Sequence, residues 1–476
     1  MKFPASTKTC THHSPAARPA LTARLAALLL LLCTVLQAGT AQTALERLRD
    51  ASPERRELSN GIPILFLRTP GTETAAVRIA IAGGEQASPQ DERYLQTLML
   101  HTFAGCIREE LADIPSAEVS VSTEEAASFI MLSSSRDDFP AVMQAAFHAI
   151  IFGEVTPIAE DGIAAEQQRQ WRLNSGDTVL QLKGKAFAAL YQGTAYAPLY
   201  DTALPILQET DFKSISRTYT ALLNAALYTI TVAGDIKPEY VLSSAESTFG
   251  LLKNQTARTA ITIPDPAPAE TGDALSVQLH HIFTADKDAD SAPPGYVPVL
   301  VPTEVFYDPA QFYFTAPAGM QEQALFNALL IELAARMQKI LGGNCICTAV
   351  PATATVKLGI LQAELLTSRK AFTEAYKTAS AQLKKELSAK KTGTAAMERM
   401  QAQWAQALCG SAEGGIALNT IAADIMQQGE AYGPGQSLRD AADALEHSER
   451  KQFQTAQKDY FPASPLLQVF SADTRQ

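Results

Sequence analysis

The chain has 476 residues, which at roughly 100–200 residues per domain points to two to four domains. Hydrophobic residues make up 46% and charged residues 19%, which allows a sizeable packed core and excludes global disorder. Acidic residues outnumber basic ones 50 to 39; without the first 41 residues, which hold four basic residues and no acid, the balance is 35 to 50, a net of −15, which disfavours nucleic acid and anionic lipid as partners.

Residues 1–41 read as a signal peptide. Arg24 precedes a largely apolar run, Leu25 to Leu36, and Gly39-Thr40-Ala41 offers a small-x-small cleavage site. The run is short for a bilayer span, which needs about 20 residues. The competing reading is an uncleaved N-terminal anchor. No later stretch is long and apolar enough to cross a membrane, so an exported protein of a periplasm or cell envelope is expected.

The remaining chain opens with a strand, a turn at Asn60-Gly61 and a second strand, Ile62–Leu67. Val77–Ile81 is the next strand, stopped by Gly83-Gly84. A helix is expected from about Asp91 to Glu110, then strands at Ala117–Thr123 and Ser128–Ser133. Phe139, Val142, Met143, Ala146, Phe147 and Ile150 recur at helical spacing. Further helices are expected at Ile158–Asn174, Val179–Tyr191 and Asp211–Leu223, and Tyr228–Ala233 closes the half as a strand. Pro264, Pro266 and Pro268 mark a linker, and Asp286–Pro298 is also loop-like. The order then restarts: strand Val305–Ala316, helix Gln321–Ile340, strands Cys345–Val350 and Val356–Leu366. Helices follow at Arg369–Leu387, Gly393–Cys409 and Leu438–Tyr460, and a short strand at Leu466–Ser471. Gly410–Gly415 reads as a loop or helix break. Two stretches thus share one rhythm, a repeat of order rather than of sequence, giving lobes at 42–252 and 301–476 joined by a linker or loop region at 253–300.

Beyond residue 41 the cysteines are Cys106, Cys345, Cys347 and Cys409, too few for a disulfide scaffold. Cys345 and Cys347 fall on the same face of a strand, either as small buried residues or as part of one disulfide. No phosphate-binding G-x-x-x-x-G-K-[ST] loop and no G-x-S-x-G elbow occurs. Asn254-Gln255-Thr256 matches a glycosylation sequon, and Lys384-Lys385 with Lys390-Lys391 reads as a solvated basic helix end.

Several segments of the first half, in order, resemble the M16 peptidase family of insulinase, pitrilysin and processing-peptidase relatives. They are Leu58–Ile64, Val77–Gly84, Tyr191-Gln192-Gly193-Thr194-Ala195-Tyr196, and Ile230–Asp235 with its terminal Gly-Asp. The resemblance implies an α+β fold of two tandem lobes, each a mixed, mostly antiparallel sheet covered by helices. It also implies a zinc site on His-x-x-Glu-His, in which two histidines one helical turn apart hold the metal and the glutamate activates its water. Here the matching helix reads Tyr94-Leu95-Gln96-Thr97-Leu98-Met99-Leu100-His101. Gln96 and Leu100 stand where the histidines belong and Met99 where the base belongs. A neutral amide is a poor zinc ligand, leucine has no lone pair, and a thioether takes no proton at neutral pH. His101 is turned about 100° round the helix and has Thr97 and Gly105, not histidine, four residues away. Glu166 stands near the family's third-ligand position, with an ordinary exposed helix carboxylate as the competing reading. The family's substrate-gripping Arg and Tyr correspond to Met337 or Gln338 and to Cys345.

The expectation is therefore an exported, catalytically inactive M16-like chain that holds no zinc. It would serve as a binding or structural subunit, dimerised with itself or with an active M16-like chain, with peptide or unfolded polypeptide as a further ligand. The alternatives are a zinc endopeptidase with a non-standard or partner-completed site, and a free-standing peptide-binding or chaperone-like protein.

Overall fold

The computed structural model describes residues 53–87, 95–153, 177–200, 212–255, 263–269, 274–277, 308–365, 369–409, 415–462 and 465–471. The signal-peptide segment, the helix expected at Ile158–Asn174 with Glu166, and the stretch Asp286–Pro298 lie outside them.

The first half contributes strands β1 (Glu54–Glu57), β2 (Pro63–Arg68), β3 (Thr74–Ala82), β4 (Glu118–Thr123), β5 (Ala127–Ser135) and β6 (Tyr228–Gly234). Its helices are α1 (Leu95–Glu110), α2 (Phe139–Phe152), α3 (Thr178–Leu190), α4 (Phe212–Leu222) and α5 (Pro238–Glu246). The second half contributes β7 (Ala274–Val277), β8 (Asp308–Thr315), β9 (Cys345–Val350), β10 (Leu358–Leu365) and β11 (Leu467–Ser471). Its helices are α6 (Met320–Leu341), α7 (Arg369–Ser388), α8 (Lys390–Cys409), α9 (Gly415–Glu430), α10 (Leu438–Glu446) and α11 (Arg450–Tyr460).

The strands form two sheets, ordered β1-β2-β6-β3-β5-β4 and β7-β11-β8-β10-β9. Without β1 the two orders superimpose strand for strand. The pairing sense repeats as well: β2 runs parallel to β6 as β7 does to β11, and the other shared pairs are antiparallel. The repeat legible in the sequence is thus a duplication of topology. It includes β7, which lies inside the stretch expected to be linker or loop.

Period-2 alternation gives each sheet two apolar faces. In the first sheet Phe66, Val77, Ile79, Ile130 and Val232 pack on α1 and α2, in a core with Leu98, Phe103, Phe139, Val142 and Ile150. The other face, with Leu65, Leu67, Ala76 and Ala233, packs against Leu418, Ala422 and Met426 of α9, a helix of the second half. In the second sheet Phe312, Phe314, Leu361 and Phe470 meet α6, α7 and α11 through Phe326, Leu333, Phe372 and Phe453. Its other face, with Tyr313, Ile360, Leu467 and Val469, is covered by Leu182, Ala186, Phe187 and Leu190 of α3, a helix of the first half. Each lobe thus lends one helix to the other's sheet.

Three details differ from the sequence reading. The helix expected over Leu438–Tyr460 is two helices. Glu449 starts α11 with a capping box, its carboxylate accepting from the backbone of Gln452 while its own N–H donates to the Gln452 side chain at 2.6 Å. Helices α5 and α9 were not expected as elements. The turn between β1 and β2 is wider than a two-residue hairpin: Gly61, at φ +83°, donates to the Leu58 carbonyl, and Leu58 donates to the Ile62 carbonyl.

Candidate functional site

Helix α1 lies against the first sheet, and residues at i, i+3 and i+4 share one of its faces. Gln96, Met99 and Leu100 all lie on this buried side. Met99 and Leu100 are 0% exposed and belong to the continuous core with Phe103 and Ile107. Gln96 is buried, and its Nε2 donates to Ser128 Oγ on β5 at 2.8 Å. The amide is thereby committed to the sheet. His101 is exposed. His148 lies on α2 and pairs with Glu110 at 3.0 Å, away from these positions. Among the described residues no three His, Cys, Asp or Glu side chains converge as a metal site. These three side chains do not fit a zinc ion: they offer a neutral amide tethered through its nitrogen, a thioether and a hydrocarbon, the latter two sealed in the core.

The other two positions are also structural. Gln338, in the last turn of α6, donates from Nε2 to the carbonyls of Gly342 (3.1 Å) and Cys345 (2.7 Å), and its Oε1 accepts from Cys347 N–H (2.7 Å). Cys345 is buried on β9, and Cys347 lies on the same face; neither is in a disulfide. Of the two readings open for this pair, the structure has small buried residues. Burial, with Cys345 alongside, pushes the Cys347 thiol up to about 12, so it is inert as a nucleophile at neutral pH.

Beside Gln96 and Ser128 lies a polar cluster that the sequence reading did not single out. The turn after β3 receives the tip of the β4–β5 hairpin: Gly83 N–H donates to Ala126 O, and the N–H groups of Glu85 and Gln86 donate to the carbonyls of Glu124 and Glu125. Gly84 is required there. Its φ is +52°, and a Cβ would come within 2.4 Å of the Glu124 carbonyl. The hairpin tip holds Glu125 buried, its carboxylate accepting from Tyr200 Oη and from Lys183 Nζ of α3 at 3.3 Å. Lys183 also stands 3.7 Å over the Tyr200 ring. Burial pushes the Lys183 ammonium down in pKa, against the pull of Glu125. Burial and the Glu125 charge raise the Tyr200 hydroxyl well above its ordinary value, so it remains a donor. Burial raises Glu124 as well, opposed by Arg78. Arg78 of β3 crosses to Asp424 of α9 at 2.5 Å and lies 4.1 Å over Phe129, while its buried Nε has no hydrogen-bond partner among the described residues. Adjacent acids in a hairpin, Glu124-Glu125, were the one signal that could have pointed here. The cluster joins the two borrowed helices, α3 and α9, to the first sheet.

No protein-family profile matches this chain, and no curated protein matches it in sequence. Solved structures match it in fold. A protease from Helicobacter pylori aligns over 88% of this chain and 99% of its own, with a TM-score of 0.68 at 12% identity. The inactive domain of an M16 peptidase from Pseudomonas fluorescens aligns over 88% and 97%, with a TM-score of 0.67 at 11% identity. The ferredoxin protease FusC, solved with Arabidopsis ferredoxin, aligns over 88% of this chain and 47% of its own, with a TM-score of 0.59 at 13% identity. The chain therefore has the M16 peptidase fold, as the resemblance of its first-half segments implied.

Proposed function

We propose that this chain is a non-catalytic, exported protein of the M16 peptidase fold that acts as a binding or structural subunit. The observation that carries the reading is the identity and burial of Gln96, Met99 and Leu100. The helix that would present a metal instead presents two core side chains and a tethered amide. Fold and chemistry are separable, so a scaffold can outlast its active site. The signal-like first 41 residues support export, and the mature chain begins near residue 42.

The partner is an active M16-like chain or a second copy of this one. Two neighbours of the same fold support a role beside other polypeptides: one is described as an inactive domain, and one was solved with a protein bound. In such an assembly the catalytic zinc and the substrate-gripping side chains belong to the active subunit, and this chain supplies walls and contacts.

Peptide hydrolysis tests the catalytic claim. The chain from residue 42, incubated with unstructured peptides and excess zinc, gives no turnover above the peptide-alone rate. Cleavage that a chelator abolishes, in protein free of other peptidases, would sink the reading.

A further inference from the structure

The outermost strands β4 and β9 hold the same place in the two duplicated sheets. A bare strand edge offers unpaired N–H and C=O groups and templates the addition of another strand. At β9 the liability is increased by Ile346 and Val350, which point to one face of the strand and are 56% and 41% exposed. Yet the edge is not bare. The Gln338 amide donates to Cys345 O and accepts from Cys347 N–H, each at 2.7 Å. A residue of a neighbouring parallel strand would make this pair of bonds across Ile346, donating to the carbonyl before it and accepting from the N–H after it. One side-chain amide thus stands in for a strand.

The first lobe repeats the construction. Arg108, in the last turn of α1, donates from Nη2 to Val119 O of β4 at 2.9 Å. A guanidinium has donors and no acceptor, so it can cover a carbonyl but not an N–H. In both lobes the helix preceding the edge strand folds a side chain back over the first residues of that strand. Among the described residues, only the apolar edge receives a group that closes both the acceptor and the donor. The 3-10 turn Gly342–Asn344 allows this approach, with Gly342 at φ +68° turning the chain out of α6 toward β9.

We propose that Gln338 is an edge plug: its amide keeps β9 closed against strand addition by a second copy of this chain. The proposal concerns a residue outside the α1 positions and stands whether or not the chain proves catalytic.

Amide exchange and sedimentation on the full mature chain test it. With 15N-labelled cysteine and alanine, the Cys347 amide of the native chain exchanges at least about tenfold more slowly than that of Ala349, whose N–H strand alternation places at the same edge. In Gln338→Leu that protection falls by about tenfold or more, and a species larger than the native one forms in a concentration-dependent way. Adding Ile346→Lys removes the larger species. Equal exchange of Cys347 and Ala349 in the native chain would overturn the proposal without any variant. So would a folded Gln338→Leu chain that keeps native Cys347 protection or native size.

Discussion

Position 100 separates a vestigial site residue from a core residue most cleanly. Leu100 is 0% exposed and packs with Phe103, Ile107 and the sheet. Leu100→Ala is expected to cost about 2–5 kcal/mol of unfolding free energy, read by chemical denaturation, because the cavity collapses only partly. A residue lining an empty former metal site would lose well under about 1 kcal/mol. At this scale the sequence shows the chemistry of the three side chains: Gln96, Met99 and Leu100 are poor zinc ligands whatever their surroundings. It could not show that the helix rotates all three into the protein, because burial depends on the sheet that packs against α1. The sequence also did not reveal the Lys183–Glu125–Tyr200 contact, since its members lie 58 and 75 residues apart along the chain.

Among the elements, helices α6, α7 and α8 are joined by a charged clamp. Glu332, buried on α6, accepts from Arg336 Nε at 2.7 Å and from Arg399 of α8 at 2.7 and 3.1 Å, while Arg336 and Arg399 both reach Glu386 of α7. Glu332→Gln is expected to destabilise by about 2–3 kcal/mol, because it leaves two guanidinium groups short of their anion in a poorly solvated site. Burial pushes the Glu386 carboxyl up, but the hydrogen bonds and charges of Arg336 and Arg399 outweigh it and hold the group below its ordinary value of 4.5. A carboxyl depressed in the folded state stabilises fully above its unfolded pKa and loses that contribution as pH falls through the folded value. Thermal stability should therefore drop as pH is lowered below about 4.5, and Glu386→Gln should flatten that part of the profile. A variant whose profile keeps the native slope would contradict this. Most elements were legible because their apolar spacing is regular, as in α2 and α6. Helix α9 was not: the run Gly410–Gly415 reads as a loop, and its buried residues answer to a sheet in the other half of the chain. Strand β7 is only four residues long, and its partner β11 lies at the opposite end of the second lobe.

For the whole molecule, the exchange of α3 and α9 makes the lobes interdependent. Asn419 of α9 is fully buried, accepting from Thr69 Oγ1 at 2.6 Å and donating to Thr74 O at 2.8 Å, and Tyr196 Oη donates to Thr355 O across the lobes at 2.7 Å. Residues 42–252 expressed alone would expose the apolar face of α3 and the Leu65, Leu67 and Ala76 face of their own sheet. They are expected to show no cooperative thermal transition, and co-expression with residues 253–476 should restore one. A sharp transition in the isolated piece would argue for independent domains. The duplicated rhythm was readable in one sequence, but the swap was not, because helix periodicity reports an apolar face and not which sheet it meets.

The central proposal is that an M16 fold persists here while the positions that would hold zinc have been absorbed into the core. Equilibrium dialysis of the mature chain against micromolar zinc, followed by metal analysis, tests it most directly. Far less than one zinc per chain is expected, unchanged by Gln96→Ala. A single tightly held zinc per chain, released by a chelator and lost on changing Gln96, would contradict it.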